Sequence, residues 1–346
     1  MIDADWRSYE GSFLDFSLLM GGSLLLAYLF VMFPVAVIGL RIASSLKHRE
    51  EVDGEYSLSA LLNPLHGAKS LLQAFHALLL SPYFWAFEAM GIAIILLYMA
   101  LSAEPWKSPT ASIAFVFSGL AALIIPFLWC AAWWYADYRE REPLRLLVTL
   151  FLWGMLAALM AIGLNTISDA FLGAFGLGVV GLFLVAPVVE ELFKGSGLCL
   201  LSEHHEYDSV EDGMVFGFVI GMGFSFIENW LYFLGNPLGS DTAGWFVLFL
   251  LRSIFFSANH GFYTAITGAF IGWLREARYG APAFGLFAGW PIAAFFHAVH
   301  NSGAAIMALL GAGGAIIYCC FLIPVFDYGG FILLLALFAR SLLRRR

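Results

Sequence analysis

The sequence predicts an all-α, polytopic membrane helix bundle, and three observations carry that class. Of its 346 residues, 61% are hydrophobic and only 12% charged, against about 25% charged in an ordinary globular chain. Aromatic residues make up 17%, and the mean hydropathy is +0.85. The apolar residues also come in runs of about 20, the length a helix needs to cross a hydrocarbon core. A soluble enzyme cannot expose that much apolar surface, and a disordered chain would be polar and poor in aromatics. The formal net charge of -8 argues against a nucleic-acid partner.

About nine spans are expected, with limits of eight to ten: 16–40, 84–102, 112–135, 145–165, 178–201, 213–235, 244–273, 283–309 and 315–339. The first follows Met-Ile-Asp-Ala-Asp, which lacks the basic segment of a signal peptide, so it reads as a retained span. Between the first and second lies the one sizeable loop, 43–80. Its Leu61 to Leu80 stretch reads either as an amphipathic surface helix or as an ordinary loop with a helical end. The third and fourth spans are almost free of charge. Ahead of the fifth, the Gly-rich 171–181 reads as a re-entrant or interfacial piece, and the seventh and eighth are long enough to tilt. Cys130, Cys199, Cys319 and Cys320 all lie in apolar runs and form no disulfide framework.

Basic residues stay on the cytoplasmic side of a bilayer. Arg41, Lys47, Arg49, Lys69, Arg139, Arg141, Arg145, Arg275, Arg278, Arg340, Arg344, Arg345 and Arg346 fall on one side of this arrangement. Those are 13 of the 17 basic residues, against Arg7 and Lys107 on the other. The N-terminus is therefore expected outside and the C-terminus in the cytoplasm. Lys194 and Arg252 fit neither side, because both sit within spans.

An ionisable group at bilayer depth costs at least about 2.5–3.5 kcal/mol, so each is a functional suspect. Spans five to eight carry Glu190, Glu191, Lys194, Glu228, Arg252, His260, His297 and His300, while spans one to four hold little beyond Glu88. In the fifth span, Lys194 follows Glu190 by four residues and Glu191 by three, so it can pair with either. One ammonium cannot compensate both carboxylates in a low dielectric, which leaves one to act as a general base. A purely structural ion pair is the competing reading. Pro187 removes a ladder bond just before the pair. In the sixth span Gly213, Gly217 and Gly221 form a small-residue face for close helix packing, with Glu228 and Asn229 further along. In the eighth, His297 and Asn301 project from one face; an imidazole can take a proton or bind a metal, and an amide can donate to an oxyanion.

The carboxylates and histidines supply the ligand types of a catalytic zinc. No His-Glu-x-x-His pair is present on one helix. Cofactor-free catalysis through a glutamate-activated water therefore ranks slightly ahead of zinc, and both stay open.

Four segments in order resemble the PrsW-type intramembrane proteases, a family related to the CAAX-prenyl endopeptidases and to a γ-secretase subunit. They are Pro187 to Gly195 with its Glu-Glu-x-x-Lys core, Asp212-Gly-x-x-x-Gly with Phe224-x-x-x-Glu228-Asn229, His260-Gly with Gly268, and His297-x-x-His300-Asn301. Tyr135 to Arg145 resembles a basic-acidic stretch ahead of the core in longer members. The resemblance covers roughly 133–302. It leaves 1–132 as an N-terminal transmembrane region of unknown role and 303–346 as a C-terminal helix with a basic tail.

The resemblance implies an endopeptidase acting on a membrane-protein substrate in the bilayer, in regulated proteolysis of a membrane-bound regulator, in a bacterial cell membrane. It implies Glu190, Glu191, His260, His297 and Asn301 as catalytic residues, supported by Lys194, Glu228 and Asn229. If a metal is bound, Glu191, Glu228, His260 and His297 are its candidate ligands. Glu228 stands where the prenyl endopeptidases have histidine, which favours the PrsW branch. Two other classes use the same buried Glu/His cluster: a proton-coupled transporter, for which no matching pair of broken helices is found, and a non-catalytic membrane scaffold.

Overall fold

The computed structural model describes residues 109–137, 141–235 and 242–344, with isolated positions and one short helical stretch between 63 and 91. Among these residues every regular element is helical. Six stretches are long and apolar enough to cross a membrane, so the chain is a multi-pass membrane protein. The expected span at 16–40 lies outside the described residues, as does most of 84–102 and of the surface-helix candidate 61–80.

Helix α1 (Pro109–Ala136) leads into α2 (Leu144–Ala174), which starts immediately after Pro143. A proline there costs no helical hydrogen bond. Helix α2 continues to Ala174, and the chain then turns at Gly176, whose φ of +71° suits glycine. One helical turn at Gly178–Val180 and a wide π-helical segment, Gly181–Val185, precede α3 (Ala186–Leu201). Pro187 falls just after the π-helical segment, so its missing N–H removes one ladder bond of a continuous helix, and the Leu182 carbonyl accepts instead from Asn301 at 3.3 Å.

The centre of the bundle is α4 (Val210–Gly235), almost wholly buried along its length. Ser209 and Asp212 cap it reciprocally. The Asp212 carboxylate accepts the Ser209 N–H at 2.8 Å, and the Ser209 Oγ accepts the Asp212 N–H at 3.1 Å. Helix α5 (Thr242–Phe249) passes through a π-helical segment, Leu250–Phe255, to α6 (Ser257–Ala277). The glycine face anticipated on α4 packs here. A Cβ at Gly217 would stand 2.5 Å from the Thr264 carbonyl oxygen, and one at Gly221 would stand 2.2 Å from that of His260. Only glycine allows the two backbones this close. The approach puts α6, with its histidine, against the Glu228 end of α4.

A turn at Pro282–Phe284 opens α7 (Gly285–Asn301). Ser302 N–H bonds the Ala298 carbonyl and Ile306 N–H bonds that of Ser302, both at 2.9 Å, so α7 runs on into α8 (Gly303–Ile317). The break comes at Gly311, φ +54°, inside the interval expected between the last two spans. A long π-helical segment, Tyr318–Gly329, then joins α9 (Gly330–Arg344).

At the junction of α1, α2 and α4, three buried carboxyl groups, Asp137, Glu142 and Asp212, present oxygens within 4.8 Å of one another. Burial, together with the nearby Asp212, Glu206 and Asp137 carboxylates, pushes the Glu142 carboxyl up to about 11.

Candidate active site

The charged residues picked out along four separate apolar runs converge. Glu190 from α3, Glu228 from α4, His260 from α6 and His297 from α7 line a cavity of about 300 Å³, with Glu191 of α3 behind them. Asn165, Asp169, Arg252, His300 and Asn301 complete its polar lining. Two indoles hold α3 in register from either side. Trp153 Nε1 donates to the Phe193 carbonyl at 3.0 Å and Trp290 Nε1 to that of Val188 at 2.8 Å.

The two adjacent glutamates have different surroundings. Successive helical residues point about 100° apart, and here one carboxylate faces into the bundle and the other the cavity. Glu191 is fully buried and bonded at both oxygens. Its Oε1 accepts from Lys194 Nζ at 2.6 Å and lies 2.9 Å from His297 Nδ1, while its Oε2 accepts from Thr264 Oγ1 at 3.1 Å. Glu190 accepts from Asn165 Nδ2 at 3.1 Å through Oε1. Its Oε2 is buried, has no hydrogen-bond partner among the described residues and faces His297 Nε2 at 3.7 Å. A carboxylate oxygen left unbonded at this depth is costly unless a water, an ion or a substrate meets it.

Lys194 is also fully buried. Besides Glu191 it reaches His260 Nδ1 at 2.9 Å and lies 3.8 Å from the centre of the Phe224 ring. An ammonium can only donate, so His260 Nδ1 is the acceptor and Nε2 carries the proton toward Glu228 Oε2, 2.6 Å away. The same Glu228 oxygen pairs with Arg252 at 2.9 Å. Asn229 fixes Arg252, accepting from its Nε at 3.0 Å and donating to its backbone carbonyl at 3.3 Å. Asn301 lies on the cavity wall with its amide donating to the Leu182 carbonyl at 3.3 Å.

One atom each from Glu190, His260 and His297 lies within 4.8 Å of the other two. One carboxylate with two imidazoles is the donor set of a catalytic zinc, and the unbonded Glu190 oxygen facing His297 Nε2 leaves a place for an ion. The donor types therefore match a metal, with His260 able to supply Nε2 only in the tautomer that carries its proton on Nδ1. Glu191, named among the ligand candidates from the sequence, is already held by three side chains and instead backs His297 through Nδ1.

Sequence reasoning missed Asn165, Thr264, Tyr263 and Asp327. Asp327 was open to discovery, since it is an ionisable residue inside the ninth apolar run. Thr264 and Asn165 carry no charge and give no such signal.

Comparison with known proteins adds a separate finding. The model of the PrsW family intramembrane metalloprotease matches residues 142–328. Protease PrsW of Geobacillus kaustophilus is 26% identical over 190 residues, 54% of this chain and 79% of the relative. Protease PrsW of Oceanobacillus iheyensis is 28% identical over 156 residues, 44% and 67% respectively. Protease PrsW of Halalkalibacterium halodurans is 30% identical over 162 residues, 45% and 70%. No solved structure matches the chain.

Proposed function

Because the chain belongs to the PrsW family of intramembrane proteases, we propose that it hydrolyses a peptide bond of a membrane-protein substrate at the cavity around Glu190. The observation that carries this reading is the buried, unbonded Glu190 Oε2 facing His297, with His260 also within 4.8 Å of the glutamate's carboxylate. Peptide hydrolysis needs a water, a group to make it nucleophilic, and donors near the developing oxyanion. Glu190 meets the water. Glu191 and Lys194 act behind it, orienting His297 and His260 through their inner nitrogens. Arg252, held by Asn229 and Glu228, supplies positive charge at the cavity wall, and Asn301 is the remaining amide donor.

Two versions of the Glu190 role are supported by specific observations. In one, Oε2 takes the proton of the attacking water. In the other, suggested by the family's description, Glu190, His260 and His297 would hold a metal, which supplies an acidified water and polarises the carbonyl. In that version Glu191 is the outer carboxylate fixing His297, an arrangement common behind metal-bound histidines.

We assign the protease core to 133–302, flanked by membrane regions 1–132 and 303–346. The distribution of basic residues supports about nine spans, an outside N-terminus and a cytoplasmic C-terminus, in a bacterial cell membrane. A membrane-bound regulator is the proposed substrate class.

The test is cleavage of a panel of single-span membrane proteins by the purified full chain, with and without a zinc chelator, beside the Glu190→Gln/Glu191→Gln double variant. Cleavage that depends on the glutamates supports the reading, and chelator sensitivity selects the metal version. Cleavage by the double variant at the wild-type rate would sink it. Proton-coupled uptake into liposomes without any cleavage would move the function to a carrier.

A further inference from the structure

The cavity contains a third histidine that the roles above leave unused. His300 forms part of the wall, and its Nδ1 lies 2.8 Å from Asp327 Oδ2. Asp327 is buried in the π-helical segment Tyr318–Gly329, in the last apolar run, and its Oδ1 accepts from Tyr263 Oη at 3.1 Å. The Tyr263 ring in turn stacks on His297, with centroids 5.1 Å apart and planes at 20°. The Asn259 amide, whose Nδ2 donates, competes for His300 Nδ1 from the longer distance of 3.3 Å. The Tyr318 hydroxyl donates to the His300 backbone carbonyl at 2.6 Å and leaves the ring alone.

A carboxylate only accepts, so the nearer partner, Asp327, requires the proton on Nδ1. His300 Nε2 is then a bare lone pair. Among the described residues no side chain or backbone group bonds it, and the ring borders the cavity. A peptide entering this cavity from the bilayer brings backbone N–H groups that cost several kcal/mol each if left unsatisfied. Glu190, His260 and His297 are committed to the reacting water and to each other.

Building on the protease reading, we propose that His300 Nε2 accepts a backbone N–H of the extended substrate next to the bond to be cut. Asp327 is the positioning residue that fixes the required tautomer. The ligand class is the polypeptide main chain itself, so this contact reads peptide geometry and not side-chain identity.

The experiment uses the full-length protein in nanodiscs and a cleavable single-span substrate, with kcat and KM measured separately. His300→Leu should lower kcat/KM about tenfold or more, as expected for one lost hydrogen bond to a desolvated substrate. His300→Gln, which restores an acceptor oxygen, should recover part of that loss. Asp327→Asn can place an amide N–H against Nδ1 and move the proton to Nε2, the same tautomer exchange seen when a triad aspartate becomes asparagine. It should therefore approach the His300→Leu value at an unchanged unfolding temperature. Tyr318→Phe, which removes a helix-to-helix bond without touching the ring, should stay within about twofold of wild type.

Equal losses in His300→Leu and His300→Gln, or wild-type turnover in Asp327→Asn, would overturn the inference while leaving the protease reading intact. Nitrogen-15 NMR of labelled histidine, assigned by difference with His300→Gln, reads the tautomer without substrate. A proton on Nε2 in the wild type overturns the inference even if cleavage occurs, and absence of cleavage by the wild type overturns both readings.

Discussion

The molecule buries two groups of carboxyls, and it treats them in opposite ways. At the junction of α1, α2 and α4, Asp137, Glu142 and Asp212 crowd together outside the cavity. Asp212 is absorbed into the capping of α4, and Glu142, pushed up to about 11, is a neutral acid at physiological pH. At the cavity, Glu190, Glu191 and Glu228 stand among Lys194, Arg252, His260 and His297. The first group is settled by caps and a retained proton, although Glu142 Oε2 finds no hydrogen-bond partner among the described residues, whereas the second is held by cations and imidazoles, with Glu190 Oε2 facing His297. Burial and an unbonded oxygen are thus common to both groups; what separates them is the cations and imidazoles around the second.

The contrast breaks most easily at Glu190. Glu190→Gln should lower kcat by about 10²–10⁴-fold with little change in unfolding temperature, because its Oε1 contact to Asn165 survives as an amide. Turnover measured beside thermal unfolding checks both halves, and a folded Glu190→Gln enzyme with normal kcat would remove Glu190 from the chemistry. Glu191→Gln should fail differently. It leaves Lys194 buried without its counter-charge, a loss of about 3–5 kcal/mol, visible as a large drop in the detergent unfolding midpoint. Replacing the pair together, Glu191→Leu with Lys194→Met, should recover most of that stability and none of the activity.

Gly221→Ala sharpens the comparison from the scaffold side. Its new Cβ would press on the His260 carbonyl, so α6 must move away from α4 at a cost of about 1–3 kcal/mol. Activity should fall with it, because the His260 contact to Glu228 depends on that approach; comparing kcat with the unfolding midpoint across Gly217→Ala and Gly221→Ala tests the coupling.

A different kind of effect, read from its pH dependence, is expected at Glu142. Its folded carboxyl titrates far above the ordinary carboxylate value, so folding favours the neutral acid. That contribution is complete at pH below about 4.5 and is lost as pH rises toward 11. Wild-type stability should thus decline between pH 6 and 9, while Glu142→Gln, a permanent mimic of the neutral acid, should decline less across that range. Unfolding midpoints across that range decide it, and parallel curves for the two proteins would show that Glu142 is ionised in the fold.

Much of the site was legible because charge inside an apolar run is conspicuous in one dimension. Glu190, Glu191, Lys194, Glu228, His260 and His297 were all found that way; Glu190, Glu228, His260 and His297 line one cavity, and Glu191 and Lys194 pack behind it. Asp327 obeys the same rule in the ninth run and was passed over; Asn165 and Thr264 are neutral and leave no trace. The break at Gly311 was readable to within a few residues from the drop in hydropathy. The π-helical segments before α3 and α6 were not, because widening a helix by one residue changes neither its composition nor its apolar character.

By itself the sequence determined the class, the family and most of the charged residues that the candidate site gathers, since both the cost of intramembrane charge and the need for about 20 apolar residues per span are local properties. Only the tertiary structure decided how the adjacent glutamates divide their work. Glu190 and Glu191 are equivalent on paper, one residue apart and each within reach of Lys194. The packing of α3 against α6 and α7 turns Glu191 toward Lys194, His297 and Thr264 and leaves Glu190 to face the cavity. That outcome depends on which backbones can touch, and the glycines of α4 permit that contact only where the neighbouring helix arrives.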